Sequence, residues 1–103
     1  MQDLKISMSQ ACSQTVIVQN PQGLHARPAN LLAREASRFE SRIDVIRGNE
    51  RVDGKSILSI LTLGAEHGAQ LSIEAHGPDA QAAIAALVKL IESDFEIEVE
   101  PAE

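Results

Sequence analysis

The residues best suited to chemistry stand together in Gly23-Leu24-His25-Ala26-Arg27-Pro28-Ala29. Pro28 fits the first turn of a helix, where its missing N–H would be unbonded anyway. The segment therefore brings His25 to the threshold of a helix. The first helical N–H groups have no intrahelical partner and carry the positive end of the helix dipole. Such a terminus is a ready anion site. Arg27 adds a guanidinium suited to phosphate oxygens. A neutral imidazole placed there has a free lone pair and can attack a phosphorus centre. The N-phosphoryl group so formed would carry about −1.5 to −2 charge, by analogy with phosphorylated hydroxyls, and would be held by the amides and Arg27. A phosphoramidate bond is labile, which suits a group that is accepted and then passed on. No carboxylate lies close to His25 in sequence to activate water. A His ahead of a helix can equally be a plain cap, and an Arg-Pro pair a plain helix start. The residues alone leave both readings open.

Elements must position this segment. Gln14 to Val18 is short and β-rich, and it stops at the turn signal Asn20-Pro21-Gln22-Gly23. Ala29, Leu32, Ala33 and Ala36 recur at helical spacing, with Phe39 a turn later, so a helix is expected from Ala26 to Phe39. Arg42 to Arg47 and Glu50 to Asp53 flank Gly48-Asn49 as a hairpin. Ser56 is a good N-cap for a short apolar helix from Ile57 to Leu63, and Gly64 a good residue to follow it. Leu71, Ile73 and Ala75 alternate with polar neighbours as a half-buried strand does. Gly77-Pro78-Asp79 opens a last helix with the stripe Ile84, Leu87, Val88 and Ile91. The order β-α-β-β-α-β-α, with one-sided strands and helices, implies a two-layer α+β sandwich. Three parts are expected: an N-terminal extension over 1–13, a domain over 14–95 and an acidic tail over 96–103.

Composition excludes several functions. The chain has 103 residues and a net charge of −6. One domain fits that length, and the acidic balance argues against nucleic acid, whose phosphates need clustered Lys and Arg. There is no Trp or Tyr, and only two Phe, so a base-stacking platform is nearly excluded. Cys12 is the single cysteine, so no internal disulfide staples the fold, and a reducing cytoplasm is the expected location. No apolar run approaches the roughly 18 residues of a membrane span, so no direct membrane binding is expected. His25, His67 and His76 show no metal-ligand spacing, so no metal or cofactor is expected.

Gly23-Leu24-His25-Ala26-Arg27-Pro28-Ala29 resembles the active-site signature of the HPr family, the histidine phosphocarriers of the bacterial phosphoenolpyruvate-dependent phosphotransferase system. Val52-Asp53-Gly54-Lys55-Ser56-Ile57-Leu58, followed by Leu61-Thr62-Leu63-Gly64-Ala65, is similar to the family's second signature. His25 and Ser56 are 31 positions apart, as the family spacing requires. Leu71 to Asp79 fits the last strand and helix start. The resemblance implies an open-faced β-sandwich, a four-stranded antiparallel sheet covered on one face by three helices. It implies that His25 accepts a phosphoryl group on Nδ1 from phospho-enzyme I and passes it to an enzyme IIA domain, with Arg27 stabilising the phosphate. That makes a phosphoryl carrier, not a turnover enzyme. Ser56 resembles the position modified by HPr kinase/phosphorylase, which would add that enzyme and a transcriptional regulator as partners.

The same resemblance makes Ile57, Leu58 and Leu61 a docking surface. Their helix carries more apolar residues than one buried face requires, though a short helix over a sheet can bury most of them. Lys55, with Arg27 and Arg51, would supply local positive charge to steer acidic partners. Departures also exist. Pro21-Gln22 precedes Gly23 where many sugar-type members carry Asn, and the Ala-rich last helix with Phe95 and an acidic tail looks like the nitrogen-related branch. The alternative function is a regulatory module that docks partners through the Ser56 helix without using His25.

Overall fold

The computed structural model describes residues 11–95. Its elements are β1 (Ala11–Ile17), α1 (Ala26–Ala36), β2 (Arg42–Arg47), β3 (Glu50–Asp53), α2 (Ile57–Thr62), β4 (Gln70–His76) and α3 (Ala80–Glu92). The strands form one antiparallel sheet in the order β1-β4-β2-β3. The expected α+β sandwich and its β-α-β-β-α-β-α order are what the chain adopts. Alternation along the strands makes two unlike faces. Val16, Ile43, Val45, Leu71, Ile73 and Ala75 are buried beneath the helices. Ala29, Leu32, Ala33 and Ala36 of α1, and Ile84, Leu87, Val88 and Ile91 of α3, meet them in one core. The stripes named from sequence are therefore the stripes that pack.

The other face is polar. It carries Asp44 of β2, Arg51 of β3, and Glu74 and His76 of β4. Arg51 bridges Asp44 at 2.8 Å and Glu74 at 2.7 Å. Arg42 also reaches Asp44, at 3.2 Å, and the nearly buried Asp44 needs both cations, since a desolvated carboxylate is costly unless paired. Hydrogen bonds from Arg51 hold the Glu74 carboxyl below its ordinary range.

Boundaries depart from the sequence reading at two places. β1 begins at Ala11, three residues before the expected start, because β4 offers partners along its whole length, from Ala11↔His76 to Ile17↔Gln70. Cys12 therefore lies inside a strand, half-buried and packed against the core, not in an extension. α1 ends at Ala36, three residues early. There the N–H groups of Arg38 and Phe39 turn back to Glu35 and Ala36, closing a tighter turn. The remainder of the expected extension, 1–10, and the acidic tail, 96–103, lie outside the described residues.

A long-range cap joins the two layers. The Asp79 carboxylate accepts from the backbone N–H groups of Glu40 and Ser41, each at 2.9 Å, and from the Ser41 hydroxyl. The Ser41 hydroxyl, then the Glu40 amide, hold the Asp79 carboxyl below its usual value. A lowered folded-state pKa contributes stability that is complete above the unfolded value near 3.8 and is lost as pH falls through the folded one. Asp79→Ala should therefore be less stable than the wild type at neutral pH, with the difference shrinking as pH falls from neutral through and below the unfolded value near 3.8. Urea unfolding midpoints across that range check it, and a constant difference would contradict it.

Candidate functional site

The segment around His25 is held by backbone before any side chain acts. β1 ends at Ile17, and Val18 exchanges hydrogen bonds with Gly68 and Ala69. The chain then folds over the loop that follows α2. Gly23 has φ +72°, and a Cβ there would stand 2.4 Å from the Ala65 carbonyl oxygen. Only glycine fits that approach and that conformation. The next residue, Leu24, is buried and donates its N–H to the same Ala65 oxygen at 2.9 Å.

His25 follows as the N-cap of α1, in extended conformation. Its carbonyl accepts the N–H of Ala29 at 3.0 Å, which starts the helix. Its imidazole is exposed and makes no capping hydrogen bond. The plain-cap alternative thus fails at the side chain. Ala26 and Arg27 precede the first intrahelical bond, and Pro28 has no N–H. Two backbone N–H groups therefore lead the helix. No acidic residue in the first turn offsets their positive end. Arg27 is exposed, and among the described residues its guanidinium forms no ion pair. Glu66 belongs to the loop under Gly23, but its carboxylate makes no hydrogen bond to His25 among the described residues. An exposed imidazole thus stands at the head of a helix whose positive end is not neutralised, and among the described residues no carboxylate bonds to it.

The second segment supplies a surface. The Ser56 hydroxyl accepts the N–H of Ser59 at 3.2 Å as the N-cap of α2, a bond typically worth about 1 kcal/mol. α2 packs on α1. Its apolar residues divide: Ile60 and Leu63 are buried and Leu61 half-buried, while Ile57 is 38% and Leu58 76% exposed. A large side chain as open as Leu58 is the clearest apolar contact the described residues offer a partner.

The expected steering charges are engaged elsewhere. The Lys55 ammonium is half-buried and donates to the Phe39 carbonyl at 2.7 Å, closing the end of α1. Arg51 is held by Asp44 and Glu74 on the opposite face of the sheet. Both are structural cations, and Arg27 alone of the three stands at His25. Asp44, Glu74 and His76 do converge, with ligand atoms within 4.8 Å of one another. Spacing along the chain could not show this, because the three lie on two neighbouring strands. Arg51 already occupies both carboxylates, so the group is an ion-pair cluster.

Two residues at the site escaped the sequence reading. The Arg47 guanidinium donates to the carbonyls of Leu63 at 2.8 Å and Gly64 at 2.9 Å, tying down the C-terminal end of α2. Asn20 donates its side-chain amide to the Gly23 carbonyl. The Arg47 contacts span 16 and 17 positions and leave no local signal. Asn20 showed only as a turn former.

Comparisons with known proteins place the chain among proteins of this fold. A family model described as the PTS HPr component phosphorylation site matches residues 12–93. The phosphocarrier protein HPr of Treponema pallidum is 43% identical over 84 residues, covering 82% of this chain and 96% of its own length. The multiphosphoryl transfer protein of Vibrio cholerae is 42% identical over 82 residues, which is 77% of this chain but 20% of that protein. Among solved structures, HPr-C-His from Thermoanaerobacter tengcongensis superposes with a TM-score of 0.81 at 44% identity, covering 85% of this chain and 99% of that one.

The seat of Gly23 is open to direct test. Gly23→Ala should lower stability by about 1–3 kcal/mol, the cost of a strained backbone at one residue, with the steric clash adding to it. Chemical denaturation measures this, and an unchanged midpoint would show that the loop does not approach Ala65 as described.

Proposed function

The chain belongs to the HPr family and is a phosphocarrier of the phosphotransferase system, and from that premise we propose that His25 carries the phosphoryl group between enzyme I and an enzyme IIA domain. One observation supports this assignment above the rest. The His25 imidazole stands exposed at the N-cap of α1 without a capping bond, ahead of the Ala26 and Arg27 N–H groups. The ring nitrogen lone pair, on Nδ1 in the family's chemistry, attacks the phosphorus of the phospho-donor. A nitrogen–phosphorus bond forms, and the donor's bond to phosphorus breaks with its electron pair returning to the donor. The same step in reverse, toward a second acceptor, returns the lone pair to His25. The helix N-terminus and Arg27 stabilise the negative charge while it resides there.

Ile57 and Leu58 form the apolar contact by which partners dock beside His25, with Leu61 supporting them from its half-buried position. Lys55 contributes by holding α1 and α2 together, not by free charge. Ser56 is the regulatory position in this reading. A phosphate there would place about −1.5 to −2 charge beside the apolar contact and weaken docking. A kinase acting on Ser56 and a transcriptional regulator that binds the product are the partners it would add. Docking without phosphoryl transfer, the rival function, leaves the exposed imidazole and the open helix terminus without a use.

Radiolabelled phosphoenolpyruvate with purified bacterial enzyme I, sugar-type and nitrogen-type in parallel, tests the assignment. The wild type should take up an acid-labile, alkali-stable label, and His25→Ala should take up none. A label that persists in His25→Ala would sink it. Arg27→Gln should slow transfer about 100-fold, the scale of losing one preorganised donor. Leu58→Glu should raise KM for enzyme I about tenfold, equivalent to ~1.4 kcal/mol, with kcat retained.

A further inference from the structure

We propose that Asn20 is a positioning residue for phosphoryl transfer at His25, acting through the Gly23 carbonyl; the inference rests on the carrier reading above. Asn20 lies five positions before His25 in a loop, yet it is only 7% exposed. It holds Gly23 twice. Its backbone carbonyl accepts the Gly23 N–H at 3.0 Å, which closes a four-residue turn. Its side-chain Nδ2 donates to the Gly23 carbonyl oxygen. That same oxygen accepts the backbone N–H of His25 at 2.9 Å, closing a three-residue turn around Leu24. The carbonyl therefore sits between two donors, one from Asn20 and one from the phosphoryl acceptor itself.

The turn does not need this amide. The backbone bond from Gly23 to Asn20 already closes it, and an exposed polar side chain would serve a turn at no cost in desolvation. Here the amide is buried, and its Oδ1 finds no hydrogen-bond partner among the described residues. A buried acceptor without a partner opposes folding. The amide cannot simply be reversed, because Oδ1 would then face the Gly23 oxygen. What it contributes in return is the orientation of the Gly23–Leu24 peptide. Gly23 has no side chain to resist rotation, and the peptide is held at both edges, its Leu24 N–H by the Ala65 carbonyl and its Gly23 carbonyl by Asn20 and the His25 N–H. With the Asn20 bond lost, the peptide keeps the Ala65 bond as a hinge and its carbonyl edge can tilt together with the His25 N–H bonded to it, so that His25 moves relative to the Ala26 and Arg27 N–H groups. Group transfer is sensitive to displacements of this size.

Steady-state transfer from phospho-enzyme I, with this chain as the varied substrate, tests the inference on the full-length protein. Asn20→Ala should lower kcat about 10- to 100-fold. Its KM should be unchanged, since α2 and Leu58 are untouched. Asn20→Asp keeps the shape but, when ionised, has no donor, so it should show the same deficit at neutral pH. Once protonated its carboxyl can donate again. The rate of Asn20→Asp relative to wild type should therefore climb as pH is lowered toward about 5, while that of Asn20→Ala stays flat. Taking each rate relative to wild type removes the pH dependence of the phospho-donor, which all variants share, and Asn20→Gln, which keeps a donor without adding charge, should not show the climb. A wild-type kcat in folded Asn20→Ala overturns the proposal. So does a lower unfolding midpoint with kcat unchanged, which marks a purely structural residue. A flat ratio for Asn20→Asp overturns it too, and that measurement decides alone if Asn20→Ala does not fold. No transfer to the wild type overturns the carrier reading, and this inference with it.

Discussion

At position 23 two backbones come closer than any side chain allows. Ala65 and Glu66 lie against the Gly23 Cα, and the peptide that follows passes its N–H to the Ala65 carbonyl. His25 is two residues further on, so its place is set by this contact before its own side chain meets anything. The loop after α2 is in turn held by Arg47 through the carbonyls of Leu63 and Gly64. His25 and α2 therefore share one support. A displacement of α2 reaches His25 through Ala65.

The charge distribution follows from what each cation is needed for. The chain is acidic overall; Lys55 and Arg47 are held in place by backbone carbonyls, and Arg51 is paired with carboxylates. Arg51 and Arg42 together compensate the nearly buried Asp44 on the open face of the sheet, and Arg51 also holds Glu74. Positive character at the site comes instead from backbone. Two N–H groups at the head of α1, with no acid in the first turn, attract an anion without needing a mobile charge. Arg27 adds to that fixed field. Donors fixed in this way need little reorganisation to meet a negative charge.

The structure also separates residues that sequence spacing treats alike. Ile57, Leu58, Ile60, Leu61 and Leu63 are equally apolar in one short run. Only the packing of α2 on α1 and the sheet decides that Ile60 and Leu63 are core while Leu58 faces out. Cys12 is a similar case. Taken alone, the segment before Gln14 looks like an extension, and it becomes strand because β4 runs on to His76.

What the sequence determined by itself rests on interactions within a few residues. The helical stripes, the strand alternation, the hairpin at Gly48-Asn49, the Ser56 cap and the position of His25 at a helix start all follow from local backbone rules, and so all were legible. The two signatures at their 31-residue spacing added the family, and with it the arrangement of the layers. Tertiary structure alone decided the rest. Lys55 binds the Phe39 carbonyl, Asp79 caps Glu40 and Ser41, Arg47 holds Leu63 and Gly64, and Asp44, Arg51, Glu74 and His76 gather across three strands. The partners in each case are distant along the chain and meet only after the sheet and helices have packed. A charged side chain looks the same in sequence whether it will steer a partner or satisfy a carbonyl. The difference is which backbone group the fold leaves within its reach.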